Sequence, residues 1–145
     1  MKLSEAGLLG HMVVEQGSGK LMSNNKACFL GGALLAIGVI PLGNLSIEEE
    51  VVAYERLYEE WPILDAWVYD TVVPIHSGTL RPVMTIIWDL NDKLHWGRPQ
   101  IAAWVAKIEA QVIAVCLTPT KPTEYLLVEQ EIRVEDTCVV ACVTT

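Results

Sequence analysis

The sequence has little positive charge. Of its 145 residues, ten are Lys or Arg and eighteen are Asp or Glu, which gives a formal net charge of −8. A protein that binds nucleic acid needs clustered basic side chains, and those of this chain are scattered. The predicted helices 82–92 and 98–114 resemble a helix-turn-helix in outline, but the second contributes only Arg98 and Lys107. We therefore expect no nucleic-acid partner.

The sequence also lacks a long uninterrupted apolar run. Residues 27–47 carry no charge and are numerous enough to span a bilayer. Pro41 and Gly43 interrupt this segment, so that only residues 28–40 are strongly apolar. That length is more typical of a buried core helix than of a membrane span. We expect a core helix, and a membrane-embedded subunit with 27–47 in the bilayer remains an alternative.

No C-x-x-C motif is present among the four cysteines, which are Cys28, Cys116, Cys138 and Cys142. Residues 1–9 show no secretory signal pattern, which favours reduced thiols and a cytoplasmic location, or a virion if the protein is phage-encoded. Cys138 and Cys142 could hold zinc with a distant His, but their neighbours are Val and Ala. We expect no metal site and no cofactor.

Hydrophobic periodicity predicts a mainly α fold with a compact helical domain over residues 1–115. Ser46 and Glu49 form a capping box, and Pro99 opens the clearest amphipathic helix. Residues 63–73 are compatible with either helix or strand. The predicted helices cover residues 1–15, 26–38, 47–60, 82–92 and 98–114.

The composition changes after this domain. Residues 116–124 contain two prolines and three threonines and are predicted to form an extended linker. Apolar and charged residues then alternate with a period of two, which predicts a C-terminal β-hairpin arm over 125–145. An isolated hairpin is marginal in water and exposes unpaired edges, so we expect the arm to contact a partner surface. The candidate interface residues are Val128, Ile132, Val134, Val139, Val140 and Val143.

A small polar cluster, formed by Asp89, Asn91, Asp92 and His95, lies between the last two predicted helices. A carboxylate beside a histidine can perform acid–base catalysis. The same residue types also end helices, form turns and satisfy unpaired backbone groups, and this structural interpretation is the better founded one.

Two further motifs could contribute a catalytic or phosphate-binding function. Cys28 near a predicted helix start could be a nucleophile with His11 as its base, although a buried apolar role fits its neighbours better. The segment 16–21 suggests a phosphate-binding loop but lacks the required spacing. We therefore assign no catalytic residue.

Two short motifs resemble a small uncharacterised helical family of actinobacteria and their phages. Residues 28–34 (CFLGGAL) are similar to that family's Cys-x-Leu-Gly-Ala-Leu helix start, with an extra glycine. Residues 88–92 (WDLND) are similar to its Trp-Asn-Asp turn, with two residues inserted. The resemblance covers residues 1–113 and implies a soluble helical domain, with no activity attached.

These observations favour a non-enzymatic protein–protein interaction or assembly protein, as a homo-oligomer or part of a larger complex. The first alternative is a small enzyme that uses Asp89, Asp92 and His95, or Cys28 with His11. The second alternative is the membrane-embedded subunit.

Overall fold

The computed structural model describes residues 1–117, with side chains to Val112. The arm, its linker and all six candidate interface residues lie outside this range. The described chain is mainly α, as predicted, with two small sheets. The helices are α1 Leu3–Val13, α2 Phe29–Ala36, α3 Ile47–Glu60, α4 Val83–Trp88 and α5 Arg98–Leu117. The strands are β1 Glu15–Gln16, β2 Met22–Ser23, β3 Lys26–Ala27, β4 Trp67–Tyr69 and β5 Leu80–Pro82.

The sheets are short and connect the helices. In the first, β3 lies between β1, to which it is parallel, and β2, to which it is antiparallel. In the second, β4 and β5 form an antiparallel pair. The second pair resolves the ambiguity of residues 63–73, because a 3-10 turn at Pro62–Asp65 is followed directly by β4.

Helices α1 and α2 approach each other closely because glycines line their contact. A Cβ added at Gly10 would lie 2.5 Å from the backbone carbonyl of Gly32, and one at Gly7 would lie 2.2 Å from the Phe29 ring. The two α1 glycines lower helix propensity in the sequence, but here they allow close packing.

The apolar spacing of α1 predicts that Leu3, Ala6, Leu9 or Gly10, and Val13 face inward. Leu3, Ala6 and Gly10 are buried, but Val13 is exposed, so the prediction is wrong at that end of the helix. The glycine contacts rotate α1 so that an apolar stripe faces outward instead. The four exposed apolar side chains of α1, hereafter the α1 outer face, are Leu8, Leu9, Met12 and Val13.

Helix α5 runs antiparallel to α1. Just past the middle of α5, Glu109 accepts hydrogen bonds from the Ser4 backbone N–H at 3.3 Å and from the Ser4 hydroxyl at 2.5 Å. At its start, Arg98 reaches the carboxyl end of α1. The apolar spacing of this helix predicts one buried stripe of Ile101, Trp104, Val105, Ile108 and Val112. The first four side chains are buried and Val112 is partly buried against the core.

Arg98 joins several elements in the core, and its side chain is fully buried. The guanidinium donates to the carbonyls of Gly10, Val14, Glu15 and Ala27. One side chain therefore satisfies carbonyls from α1, β1 and β3 while belonging to α5. Burial lowers the pKa of Arg98, and the four carbonyls offset part of the cost of burying its charge.

Helix α3 begins at the predicted capping box. Ser46 Oγ accepts from the Glu49 N–H at 3.1 Å, and a Glu49 carboxylate oxygen accepts from the Ser46 N–H at 2.7 Å. The helical spacing of Ile47, Val51, Tyr54 and Tyr58 predicts that they share the inward face. This prediction is wrong for Ile47, Val51 and Tyr58, which are 80%, 55% and 37% exposed, while Tyr54 is partly buried. The helix instead buries only Ala53 and Leu57 fully, so it rests on the core by a narrow stripe.

The uncharged segment 27–47 is divided between a short helix and a connector. Helix α2 packs Phe29, Leu30 and Leu34 into the protein core and ends before Gly38, which adopts a left-handed φ of 75°. The connector, residues 37–46, then leads to α3. Within residues 1–117, no helix combines the length and apolar character required to cross a membrane.

Candidate functional site

The polar cluster predicted from the sequence lies at the end of α4. The predicted helix 82–92 is interrupted, because α4 stops at Trp88 and a π-helical turn follows from Asp89 to Lys93. Such turns are rare and frequently occur at functional sites. The turn carries three of the four candidate residues, so their individual contacts decide what they can do.

Asn91 is an internal connector. Its side-chain oxygen accepts from the Gln16 amide at 2.9 Å and from the Phe29 N–H at 3.2 Å. Its NH₂ group donates to the Gly17 carbonyl at 3.0 Å and to Asp92 at 2.6 Å. The amide therefore makes four hydrogen bonds within the protein, and they fix the 16–19 loop against the start of α2.

Asp92 extends the same network. Its Oδ1 accepts from Asn91 and also from the Gly19 backbone N–H at 3.1 Å. Gly19 has a left-handed φ of 77°, which glycine adopts easily. Asp92 thus holds the turn of the glycine-rich segment, which the structure places against the cluster rather than around a phosphate.

Asp89 is the centre of an ionic network. Its carboxylate lies 2.6 Å from Arg81 and 2.8 Å from Lys93, while His76 is at 3.9 Å. Arg81 also contacts the fully buried Asp70 at 2.6 Å. The network connects the β4–β5 pair to the π-helical turn.

The charges of this network stabilise one another. Burial opposes the ionisation of Asp89, but hydrogen bonds from Lys93 and Arg81 outweigh that effect and lower its pKa. Burial likewise opposes the charge on Arg81, but the hydrogen bonds that Arg81 donates to Asp89 and Asp70 outweigh that effect and raise the pKa of Arg81. An acid held in its ionised form in this way is a poor proton donor at neutral pH.

Sequence reasoning missed Asp70 and Arg81. Asp70 accepts from the N–H groups of Val72 and Val73 at 3.0 and 2.8 Å, a turn arrangement that Asp favours. That local signal was available, since Asp70 precedes a β-branched stretch and a proline. The pairing with Arg81 depends on the register of β4 and β5, which no local pattern indicated.

His95 is separated from the ionic network. It is exposed, has a left-handed φ of 52°, and lines a shallow pocket of about 440 Å³ with Gln16, Lys26 and Asn91. Asp89 does not line that pocket, and the histidine beside Asp89 is His76. The structure therefore does not form the predicted acid–base arrangement of Asp89 with His95.

Cys28 faces a second small pocket, of about 260 Å³, which it shares with Tyr54, Trp88, Asp92 and Lys93. Its sulfur accepts from the Gly31 N–H at 3.4 Å at the start of α2. Burial nevertheless raises the pKa of Cys28 to about 11, so the thiol is protonated at neutral pH. His11 is exposed on α1 and does not line this pocket. Over the described part of the chain, no group of three or more His, Cys, Asp or Glu residues is placed to hold a metal.

A cavity larger than the pockets at His95 and Cys28 lies away from this cluster, between the connector and α3. This open cavity, hereafter the α3 groove, has a volume of about 890 Å³. Met1 and Trp61 lie at one end, where the Trp61 indole N–H donates to the Met1 carbonyl at 3.0 Å. The apolar lining residues are Ile37, Val39, Ile40, Leu45, Val52 and Ala53.

The charged lining of the α3 groove comes from α3 itself. Glu48, Glu49, Glu60 and Arg56 line the cavity. Arg56 is held by Glu60 at 2.6 Å and by Glu59 at 2.7 Å, so it is engaged within its own helix. The groove is thus lined by apolar side chains together with acidic side chains of α3, hereafter its acidic border.

Comparison of the chain with protein-family models, with characterised proteins and with solved structures gives no match. The resemblance carried by residues 28–34 and 88–92 therefore stays a prediction.

Proposed function

We propose that the protein is a non-enzymatic protein–protein interaction or assembly protein whose C-terminal arm contacts a second copy of the chain. The observation that carries this proposal is the α3 groove, an open cavity partly lined by apolar side chains, on a chain whose C-terminal segment also contains alternating apolar residues. At about 890 Å³ the groove has the size at which proteins accommodate sizeable ligands. Apolar surface left in water is unfavourable, and covering it drives association.

The contacts of the polar cluster fit a non-enzymatic role. Asn91 and Asp92 hold backbone groups of the 16–19 loop, and Asp89 is paired with Arg81 and Lys93. These bonds stabilise the fold.

A small enzyme remains the second candidate, because the pocket at Cys28 brings the thiol near Asp92 and Tyr54. Burial raises the pKa of Tyr54 to about 12, so this phenol is also protonated at neutral pH. If the protein is not a thiol enzyme, iodoacetamide should label Cys28 in the native protein far more slowly than in the unfolded protein at pH 7.5. Equal labelling rates would favour the enzyme.

The proposal is tested by truncating the chain after Thr118 and measuring the native mass by light scattering. We expect the full-length protein to be oligomeric and the truncated protein to have a lower oligomeric mass with an unchanged helical circular dichroism signal. A truncated protein that keeps the oligomeric mass contradicts the proposal.

A matched pair of point variants tests the arm without shortening the chain. Ile132→Glu changes the net charge by −1 on the predicted apolar face, whereas Arg133→Gln makes the same change of net charge on the predicted wet face. Ile132→Glu should dissociate the oligomer and Arg133→Gln should not. If both variants keep the oligomeric mass, or both lose it, the result would contradict the role of the apolar face.

A further inference from the structure

We propose that the α3 groove is the receptor for residues 125–134 of this chain, which bind it with the apolar face of a β-strand. This inference rests on the proposed function, because it names the surface that receives the arm. It would explain why α3 buries only Ala53 and Leu57 fully and leaves an apolar cavity beside them.

The direction of α5 brings the arm toward the groove of its own chain, and the same contact made with the groove of a second copy would be an exchange of arms. Glu109 lies opposite Ser4, and α5 continues to Leu117, eight residues further toward the amino end of α1. These residues extend the helix by about 12 Å. Met1 precedes α1 at that end and lines the groove. The predicted linker, at about 3 Å per residue if extended, then provides ample reach.

The length of the groove suits a strand of this size. Its border on α3 runs from Glu48 to Glu60, which corresponds to about 18 Å of helix. Residues 128–134 in a strand would extend over about 20 Å. Val128, Ile132 and Val134 would share one face of that strand, with Gln130 between them. A single strand can therefore place three apolar side chains along the apolar lining.

The charges of the segment are compatible with this orientation. Glu129, Glu131 and Arg133 fall on the opposite face of the predicted strand, away from the acidic border. The segment still carries a net negative charge, as does the border, and exposed charges repel less when salt screens them. We therefore expect sodium chloride to strengthen the contact, whereas a basic partner in the groove would bind more weakly in salt.

Photo-cross-linking of the full-length protein tests the receptor directly. A benzophenone amino acid is placed at Val52, which lines the groove and is 56% exposed. The control is Val51, which is 55% exposed on the same helix and does not line the groove. We expect peptides from residues 125–134 to be cross-linked from position 52 and at least about tenfold less from position 51. Cross-links from position 52 to any other segment, equal yields from both positions, or no cross-link overturn the inference.

A pair of variants supplies a second readout. Val52→Glu should increase hydrogen-exchange rates of amides in residues 125–134 by about tenfold or more, because it places a charge in the apolar contact. Val51→Glu should leave these rates within about twofold. Equal rates in the two variants overturn the inference.

The two proposals fail differently. If truncation lowers the native mass but position 52 does not cross-link to the arm, the assembly function stands and the receptor lies elsewhere, with the α1 outer face as the next surface to examine. If position 52 cross-links to the arm only within one chain and the mass is that of a monomer, the receptor stands and the assembly function fails.

Discussion

The α1–α2–α5 side of the molecule and the α3 side are built differently. On the first side, glycines allow backbones to approach closely, and a fully buried Arg98 fills the centre with hydrogen bonds to four carbonyls. On the second side, α3 buries two side chains fully and leaves the α3 groove open. A closely packed support next to a partly apolar open groove is compatible with the interaction role proposed above.

The largest expected loss of stability comes from a substitution on the α1–α2–α5 side. Replacing Arg98 by Met should lower the free energy of unfolding by about 3–5 kcal/mol, because buried carbonyls lose their donors. Urea denaturation monitored by circular dichroism measures this loss. A loss below about 1 kcal/mol would mean that water replaces the guanidinium and that this side is less closely packed than described.

A smaller effect is expected where α2 meets the loop before it. A Cβ at Gly31 would lie 1.8 Å from the Leu21 carbonyl oxygen. Gly31→Ala should therefore destabilise the protein by about 1–3 kcal/mol, the usual cost of overpacking.

Gly97→Ala is the matched control, since the nearest atom to its added Cβ is 3.7 Å away. Its effect on the free energy of unfolding should stay within about 0.5 kcal/mol. Thermal and urea unfolding measure both variants. If their free energies of unfolding are equal, the close approach at Gly31 is readily relieved.

The ionic network should give a pH-dependent effect. The pKa of Asp89 is lowered in the folded protein, so its contribution to stability is present above the unfolded-state pKa and is lost as the pH falls through the folded-state pKa. Asp89→Asn should cost about 1–3 kcal/mol at pH 7, and this difference from the unmodified protein should shrink toward pH 3. A difference that does not change with pH would contradict the ionic role of Asp89.

The smallest effect is expected on α3. Ile47 is 80% exposed at the first position of that helix. Ile47→Glu should change the free energy of unfolding by no more than about 0.5 kcal/mol, since a carboxylate is tolerated in a first helical turn. A loss above about 1.5 kcal/mol in urea denaturation would show that this end of α3 is covered.

The sequence predicted those elements whose signals are local. The capping box of α3 and the buried stripe of α5 follow from side chains three or four residues apart, and both are present in the structure. The rotation of α1 was not predictable in this way, because it depends on contacts of Gly7 and Gly10 with a different helix.

The candidate site, too, could be predicted from the sequence only where its signal is local. The Asp89–Asp92 cluster was identified from its composition, but its main partners come from distant segments, through Gln16, Gly19 and Arg81. Arg98 stands at the first position of the predicted helix 98–114, and no local pattern indicates that it is buried. Tertiary pairing of polar groups has no periodic signature in one sequence, so these roles emerged only from the structure.

Sedimentation equilibrium of the full-length protein, at several concentrations and in low and high sodium chloride, tests the central claim most directly. If the arm of one copy covers the α3 groove of another, the mass should exceed the 16.0 kDa of one chain. Association should also strengthen with salt, because each chain carries a net charge of −8. A mass of one chain at every concentration and salt level would contradict the claim that this protein assembles through its arm.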